Sequence, residues 1–264
     1  MIEQRWNAAD YARNSTAQWQ WAQELVAKLG LQGHERLVDI GCGDGKITAA
    51  IARQLARGAV LGIDASPQMI ELASASYPPA QYPNLTFRQQ DATALDLPPI
   101  FDIAFSNATL HWVQDHEAVL RGVRAGLRRG GKLLFQMGGQ GNADEVMAVL
   151  HTLTHAPAWS AYLAGFECPY RFCGVEEYRA WLPAFDFEIV RLELIHKDMQ
   201  HDGPDGLKGW LRTTWFPYTN RLPAEQREPF LDELVAAYLA QHPLDPQGKT
   251  HVQMMRLEVE ALAC

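Results

Sequence analysis

Long apolar runs are missing from this 264-residue chain. No stretch approaches the roughly 18 consecutive apolar residues of a membrane helix, so the expectation is no membrane partner. The opening residues, MIEQRWNAADYARNS, are polar and lack the apolar centre of a secretory signal, which makes a cytoplasmic protein the expectation. Cysteine is scarce: Cys42, Cys168, Cys173 and Cys264 form no C-x-x-C pair and match no zinc spacing, so they read as ordinary reduced thiols and no metal is expected. Positive charge is short as well. Lys and Arg number 23 against 31 Asp and Glu, a net charge of −8, whereas a nucleic-acid partner would call for a basic face. Internal repeats and low-complexity segments are also absent.

What is present is alternation of short apolar runs with helical periodicity. Trp19, Ala22, Leu25, Val26 and Leu29 recur at helical spacing before Gly30. Strands are predicted at 37–40, 60–63, 85–88, 101–106 and 132–137. Helices are predicted over 47–55, from Ser66-Pro67 (an N-cap followed by proline at the first helical position), and over 117–127. Strands alternating with helices call for a parallel sheet covered on both faces, with ligands beyond the carboxyl ends of the strands. The second half reads differently. Strands at 187–196 and 257–262 flank helices at 207–216 and 225–241, and the segment between is rich in Trp210, Trp215, Phe216 and Tyr218. Those aromatics suit either a lid over the strand ends or a core between helices.

The chemistry concentrates at the strand ends. Val38-Asp39-Ile40-Gly41-Cys42-Gly43-Asp44-Gly45 places glycines at a sharp strand-to-helix turn, where backbone must take positive φ and a ligand must come close. The dinucleotide fingerprint is G-x-G-x-x-G; here the pattern is G-x-G-x-G, with Asp39 two positions ahead. A carboxylate there repels pyrophosphate and receives an ammonium. S-adenosylmethionine offers an α-ammonium and a sulfonium and no phosphate. Asp64 ends the second strand, where a carboxylate can accept two ribose hydroxyls or, blandly, cap a helix. Asp91-Ala92 follows the third strand, and the fourth leads into Asn107-Ala108-Thr109-Leu110-His111-Trp112.

Segments 38–45, 61–66, 91–92 and 101–112 together resemble the ordered motifs of class I S-adenosylmethionine-dependent methyltransferases. The resemblance implies one α/β domain over 1–264: a Rossmann-like, doubly wound sheet of seven strands, the last two antiparallel. It divides into an N-terminal helical segment (1–35), a cofactor-binding core (36–137) and a helical lid insertion (197–250). It implies that Asp39, Gly41, Cys42 and Gly43 face the methionine part of the cofactor, Asp64 the ribose and Asp91 the adenine. Tyr11, Ala65, Met69, Ala92 and Asn107 complete the expected cofactor set. More narrowly, Tyr11, Ser15 and Gln18, the Leu110-His111-Trp112 loop and the aromatic insertion resemble the small-molecule carboxyl methyltransferases, the trans-aconitate and juvenile hormone acid group. That resemblance implies that Gln18 and Trp112, both N–H donors, hold a substrate carboxylate.

Methyl transfer from a sulfonium is an in-line displacement that needs alignment and exclusion of water. A carboxylate acceptor is ionised at neutral pH and needs no base; an alcohol or phenol would need one, and His111 is the candidate. The expected function is O-methylation of a small-molecule carboxylate, leaving S-adenosylhomocysteine, by a monomer or homodimer. N- or C-methylation of an amine or natural-product scaffold, and a non-catalytic S-adenosylmethionine-binding protein, stand as alternatives. No arginine could be placed near the substrate from sequence.

Overall fold

The computed structural model describes residues 16–264, with side chains from Trp21 onward. Tyr11 and Ser15 lie outside the described residues, and Gln18 enters only as a position on the first helix.

The predicted apolar runs become five strands: β1 (Arg36–Ile40), β2 (Ala59–Asp64), β3 (Leu85–Gln89), β4 (Phe101–Asn107) and β5 (Leu127–Gly138). With β6 (Phe187–Asp202) and β7 (Lys249–Ala263) they form a seven-stranded sheet in the order β3-β2-β1-β4-β5-β7-β6. β1 through β5 pair in parallel. β7 runs antiparallel to β5, from Lys132 opposite Leu262 to Gly138 opposite Arg256. Strand order reverses between β1 and β4, and at such a switch point the connecting loops diverge and open a crevice at the carboxyl ends. The helices are α1 (Thr16–Ala27), α2 (Lys46–Gln54), α3 (Pro67–Ser76), α4 (His116–Gly126), α5 (Asp144–Thr154), α6 (Ser160–Leu163), α7 (Val175–Ala184), α8 (Gly203–Thr214), α9 (Phe216–Thr219) and α10 (Ala224–Gln241).

Sheet residues point alternately to two apolar layers. Leu37, Phe105 and Leu134 meet Leu25 and Leu29 of α1 and Ile51 of α2. Val38, Ile40 and Phe135 meet Val119 and Val123 of α4 and Tyr178 of α7. Each fully buried side chain of this size contributes about 1.5–3 kcal/mol. Caps fix where helices start. Ser66 Oγ accepts from the Met69 N–H at 3.3 Å with Pro67 next in line, and Asp115 Oδ1 accepts from the Ala118 N–H at 2.9 Å.

The chain divides into two compact units. The larger comprises Gln18–Gln140, Tyr170–Ile195 and Arg256–Cys264; the smaller takes in Gly141–Pro169 and His196–Met255. Within the smaller unit Trp210, Trp215, Phe216 and Tyr218 are all buried, and Trp215 lies between Trp210 and Tyr218 with ring centres 6.1 and 6.2 Å away. They act as interior packing.

The edge strands run further than their apolar alternation suggests. Residues 196–202, HKDMQHD, are polar, yet β6 continues through them. Polar pairs hold that end instead: Asp198 accepts from His251 Nδ1 at 2.8 Å, and Asp202 pairs with Lys249. The helical part of the insertion is therefore Gly203–Gln241. Helices α5 and α7 lie in a stretch where sequence reading set no elements. Among the described residues no helix is long and apolar enough to cross a membrane.

Candidate active site

The carboxyl ends of β1, β2 and β4 meet through their loops. After Ile40 the chain turns at Gly41 (φ 75°), and the Gly41 and Cys42 N–H groups donate to Ile63 O at 2.8 and 2.9 Å, tying the turn to β2. A Cβ on Gly41 would lie 2.0 Å from Thr109 Cγ2, so only glycine fits there. Thr109 Oγ1 donates to Gly41 O at 3.0 Å and locks the β4 loop onto the β1 loop. Gly43 differs. Its φ is +54°, and a Cβ there would meet nothing within 4 Å, so its backbone faces open space.

Two carboxylates flank this loop. Asp39 is buried and accepts from Thr48 Oγ1 at 2.7 Å. Burial, with the Asp64 charge beside it, pushes the Asp39 carboxyl up to about 7 against the Thr48 hydrogen bond. Asp64 is held from both sides: Oδ2 accepts from the Gly43 N–H at 3.0 Å and Oδ1 from the Ser66 N–H at 2.8 Å. Burial raises its pKa although those two N–H groups oppose the shift. Each of its oxygens retains a further acceptor site, since an ionised carboxylate offers about four. Gln90 N–H donates to Asp64 O at 2.9 Å, which brings β3 and Asp91 beside this end. Asp91 is exposed and caps the turn Ala92–Ala94 through the Thr93 N–H at 2.7 Å. Ala65 is exposed and Met69 buried at the start of α3. Burial raises the Cys42 thiol far above its usual range, so it stays protonated.

At the end of β4, Asn107 Oδ1 is buried with no hydrogen-bond partner among the described residues. Ala108 follows at φ 55°, a left-handed conformation that costs a non-glycine residue free energy and recurs at functional turns. Next comes His111, whose Nδ1 accepts from the Gly138 N–H at 3.4 Å. In the neutral ring the hydrogen then sits on Nε2. Burial, with Arg256 and His116 nearby, lowers this imidazole to about 3. Trp112 packs edge-on against Tyr170 (4.5 Å between ring centres), and Tyr170 stacks on Phe172 at 5.7 Å. The Arg171 N–H donates to His111 O at 2.8 Å, joining the 170–172 strip to this loop.

Comparison with known proteins decides the family. Residues 38–135 match a family model described as a methyltransferase domain. The chain is 30% identical over 257 residues, covering 96% of each protein, to a trans-aconitate 2-methyltransferase of Methylobacterium nodulans. The chain belongs to the trans-aconitate 2-methyltransferase family. Its fold is shared with the YcgJ protein of Bacillus subtilis (TM-score 0.61, 16% identity, 93% of this chain and 98% of that one). It is also shared with Haemonchus contortus phosphoethanolamine N-methyltransferase 2, whose structure is a complex with S-adenosyl-L-methionine (TM-score 0.60, 16% identity, 97% of this chain and 56% of that one). The seven-stranded Rossmann-like sheet, the enzyme class and S-adenosylmethionine as methyl donor therefore stand as expected.

The residues of this methyltransferase fit that cofactor. Asp39, Asp64 and the lone Asn107 oxygen form an acceptor-rich, anionic end that suits an ammonium and hydroxyls and repels phosphate. The open face of Gly43 leaves room for close approach. The structure brings together Asp39, Gly41, Cys42, Gly43, Asp64 and Asn107, and sets Asp91 and Ala92 beside them in the turn that follows β3. His111 and Trp112 stand next to one another, 5.9 Å between ring centres. Sequence reading missed Tyr170 and Phe172, whose only local signal was the aromatic spacing in Tyr170-Arg171-Phe172.

Proposed function

We propose that this methyltransferase transfers the methyl group of S-adenosylmethionine to a carboxylate oxygen of a small molecule. The observation that carries the reading is the state of His111. Its Nδ1 lone pair is engaged by the Gly138 N–H, and its basicity is suppressed to about 3. The loop expected to face the transferring methyl thus offers hydrogen-bond donors and no base. A carboxylate is the acceptor that needs none, because it is already ionised at neutral pH.

When bound, S-adenosylmethionine supplies an electrophilic methyl on a positively charged sulfur. The protein's part is placement and exclusion of water. Asp39 and Asn107 would receive the ammonium, Asp64 the ribose hydroxyls, Asp91 the adenine amino group, and Gly41, Cys42 and Gly43 the methionine chain. Ala65, Met69 and Ala92 would line the adenosine. His111 Nε2–H and the Trp112 indole N–H would orient the acceptor carboxylate, with Tyr170 and Phe172 walling the loop from water. Gln18 on α1, and Tyr11 before it, take their roles from the family resemblance. Trans-aconitate, named for the relatives, is the first acid to try. A cytoplasmic monomer or homodimer completes the reading.

Incubation with methyl-labelled S-adenosylmethionine and parallel panels of small carboxylic acids and amines tests the proposal. The expected product is a labelled ester that releases methanol in mild alkali. Label transferred to an amine, or held through alkali on carbon, would overturn it.

A further inference from the structure

The loop that carries His111 and Trp112 is gripped by one residue of the 170–174 strip. The loop is a single 3₁₀ turn, Leu110–Trp112, closed by the Trp112 N–H to Thr109 O and the Val113 N–H to Leu110 O, at 2.9 Å each. Those bonds leave the carbonyls from His111 onward to donors outside the turn, as at the end of any helical segment. Arg171 meets two of them. Its backbone N–H donates to His111 O at 2.8 Å, and its guanidinium donates to Gln114 O. The two bonds bracket the segment that holds the Trp112 indole.

The guanidinium is itself fixed. Glu177 accepts from it through Oε1 at 3.3 Å, and through Oε2 from the Gly174 N–H at 2.8 Å, which ties it to the start of α7. The Trp181 ring centre, one turn further along α7, lies 5.3 Å from the guanidinium carbon. The strip is also tied to the residues after β5, where the Gln140 N–H donates to Cys173 O at 2.9 Å. On either side of Arg171, Tyr170 and Phe172 hold their ring centres 5.9 and 6.1 Å from that of His111. The Arg171 side chain is 36% exposed, so its ion pair with Glu177 adds little to stability. What it supplies is geometry: a planar fork that reaches a carbonyl and a carboxylate at once. Resting on the reading above that this loop orients the acceptor, we propose that Arg171 is a positioning residue for methyl transfer. It acts through the loop and not on the substrate. By fixing the carbonyls at both ends of His111–Gln114 it sets the aim of His111 Nε2–H and the Trp112 indole N–H, and an in-line displacement tolerates little misplacement.

Arg171→Ala and Arg171→Lys test this. Each is measured for S-adenosylhomocysteine affinity by calorimetry, and for kcat and KM of label transfer to the acid that the wild type methylates best. In Arg171→Ala, cofactor affinity should stay within about twofold and acceptor KM within about threefold, while kcat falls about 30-fold. Guanidinium chloride at about 50 mM, far below denaturing levels, should restore several-fold of the lost rate in Arg171→Ala and leave the wild type unchanged. A purely structural defect would not respond to it. Arg171→Lys, which keeps the charge and loses the fork, should turn over about fivefold more slowly than wild type. It carries the test by itself if the alanine variant does not fold. A kcat within about twofold of wild type in either variant, a loss that follows cofactor affinity in equal proportion, or no response to guanidinium would overturn the inference while leaving carboxylate methylation standing. Wild type that methylates amines and no acid would overturn the carboxylate reading alone, and the same comparison on the amine then decides the role of Arg171. Wild type that binds S-adenosylhomocysteine yet methylates neither class would overturn both.

Discussion

At the scale of single residues the two outer positions of Gly41-Cys42-Gly43 make opposite demands. Gly41→Ala forces a Cβ into Thr109 at positive φ, and a stability loss of about 2–4 kcal/mol is expected in denaturant titration. Gly43→Ala meets open space, so only the left-handed backbone penalty of about 1–2 kcal/mol applies, but the new methyl fills the room the cofactor needs. That variant should fold and lose most S-adenosylhomocysteine affinity; retained affinity would move the ligand away from Gly43. Asp39 supplies a pH signature. Its carboxyl is raised to about 7 in the folded chain, so protonation stabilises the unliganded fold, and this contribution is lost as pH rises from the unfolded value near 4 through 7. Cofactor binding runs the other way, because an ammonium ligand selects the ionised form. Affinity should climb with pH up to about 7, by at most tenfold per unit, and then level off. In Asp39→Asn that climb should vanish; an identical climb in the variant would assign it to another group. At saturating cofactor, turnover should show no step from His111 near neutrality.

At the scale of elements, β5, β6, β7 and the turn that follows α1 are joined through one buried carboxylate. Burial works against ionising Glu258, but hydrogen bonds from Lys28, Arg191 and Gln136 outweigh it and hold its pKa below the usual range. Its contribution is present above the unfolded pKa near 4.5 and fades as pH falls below it. Glu258→Ala strands these donors. Because Lys28 and Arg191 are partly exposed, a loss of about 2–3 kcal/mol is expected at pH 7 in chemical denaturation, shrinking toward pH 3. A loss below 0.5 kcal/mol, on the order of a surface pair, would mean that the carboxylate joins nothing. The same elements show what sequence carries and what it does not. β1, β2, β4 and β5 were legible because each carries an apolar run ended by Gly, Asp or Ser, and β3 through its Leu85 and Phe87 two apart. The signal for α5 was also present, with Val146, Val149, Leu150 and Leu153 all buried at helical spacing, and simply went unread. The outer half of β6 was illegible because ion pairs across the ladder replace apolar alternation, whereas the outer half of β7 carried an unread alternation of buried Thr250, Val252 and Met254.

At the scale of the whole molecule, the loops proposed for the cofactor, and Gln18, His111 and Trp112 on the acceptor side, were named from sequence, while Tyr170 and Phe172 were not, for a physical reason. Asp39, the glycines and Asp64 sit in loops where a few adjacent residues dictate both conformation and chemistry. Tyr170 and Phe172 come beside Trp112 only through a long return of chain. The acidic balance of −8 accords with a site that binds a cationic cofactor through carboxylates. Every site assignment rests on that cofactor occupying the crevice at the carboxyl ends of β1 and β4, so calorimetric titration of the purified protein with S-adenosylhomocysteine, beside NAD as control, tests the account most directly. Micromolar binding of S-adenosylhomocysteine with no binding of NAD is the predicted result; a folded protein that binds neither, or that prefers NAD, would contradict it.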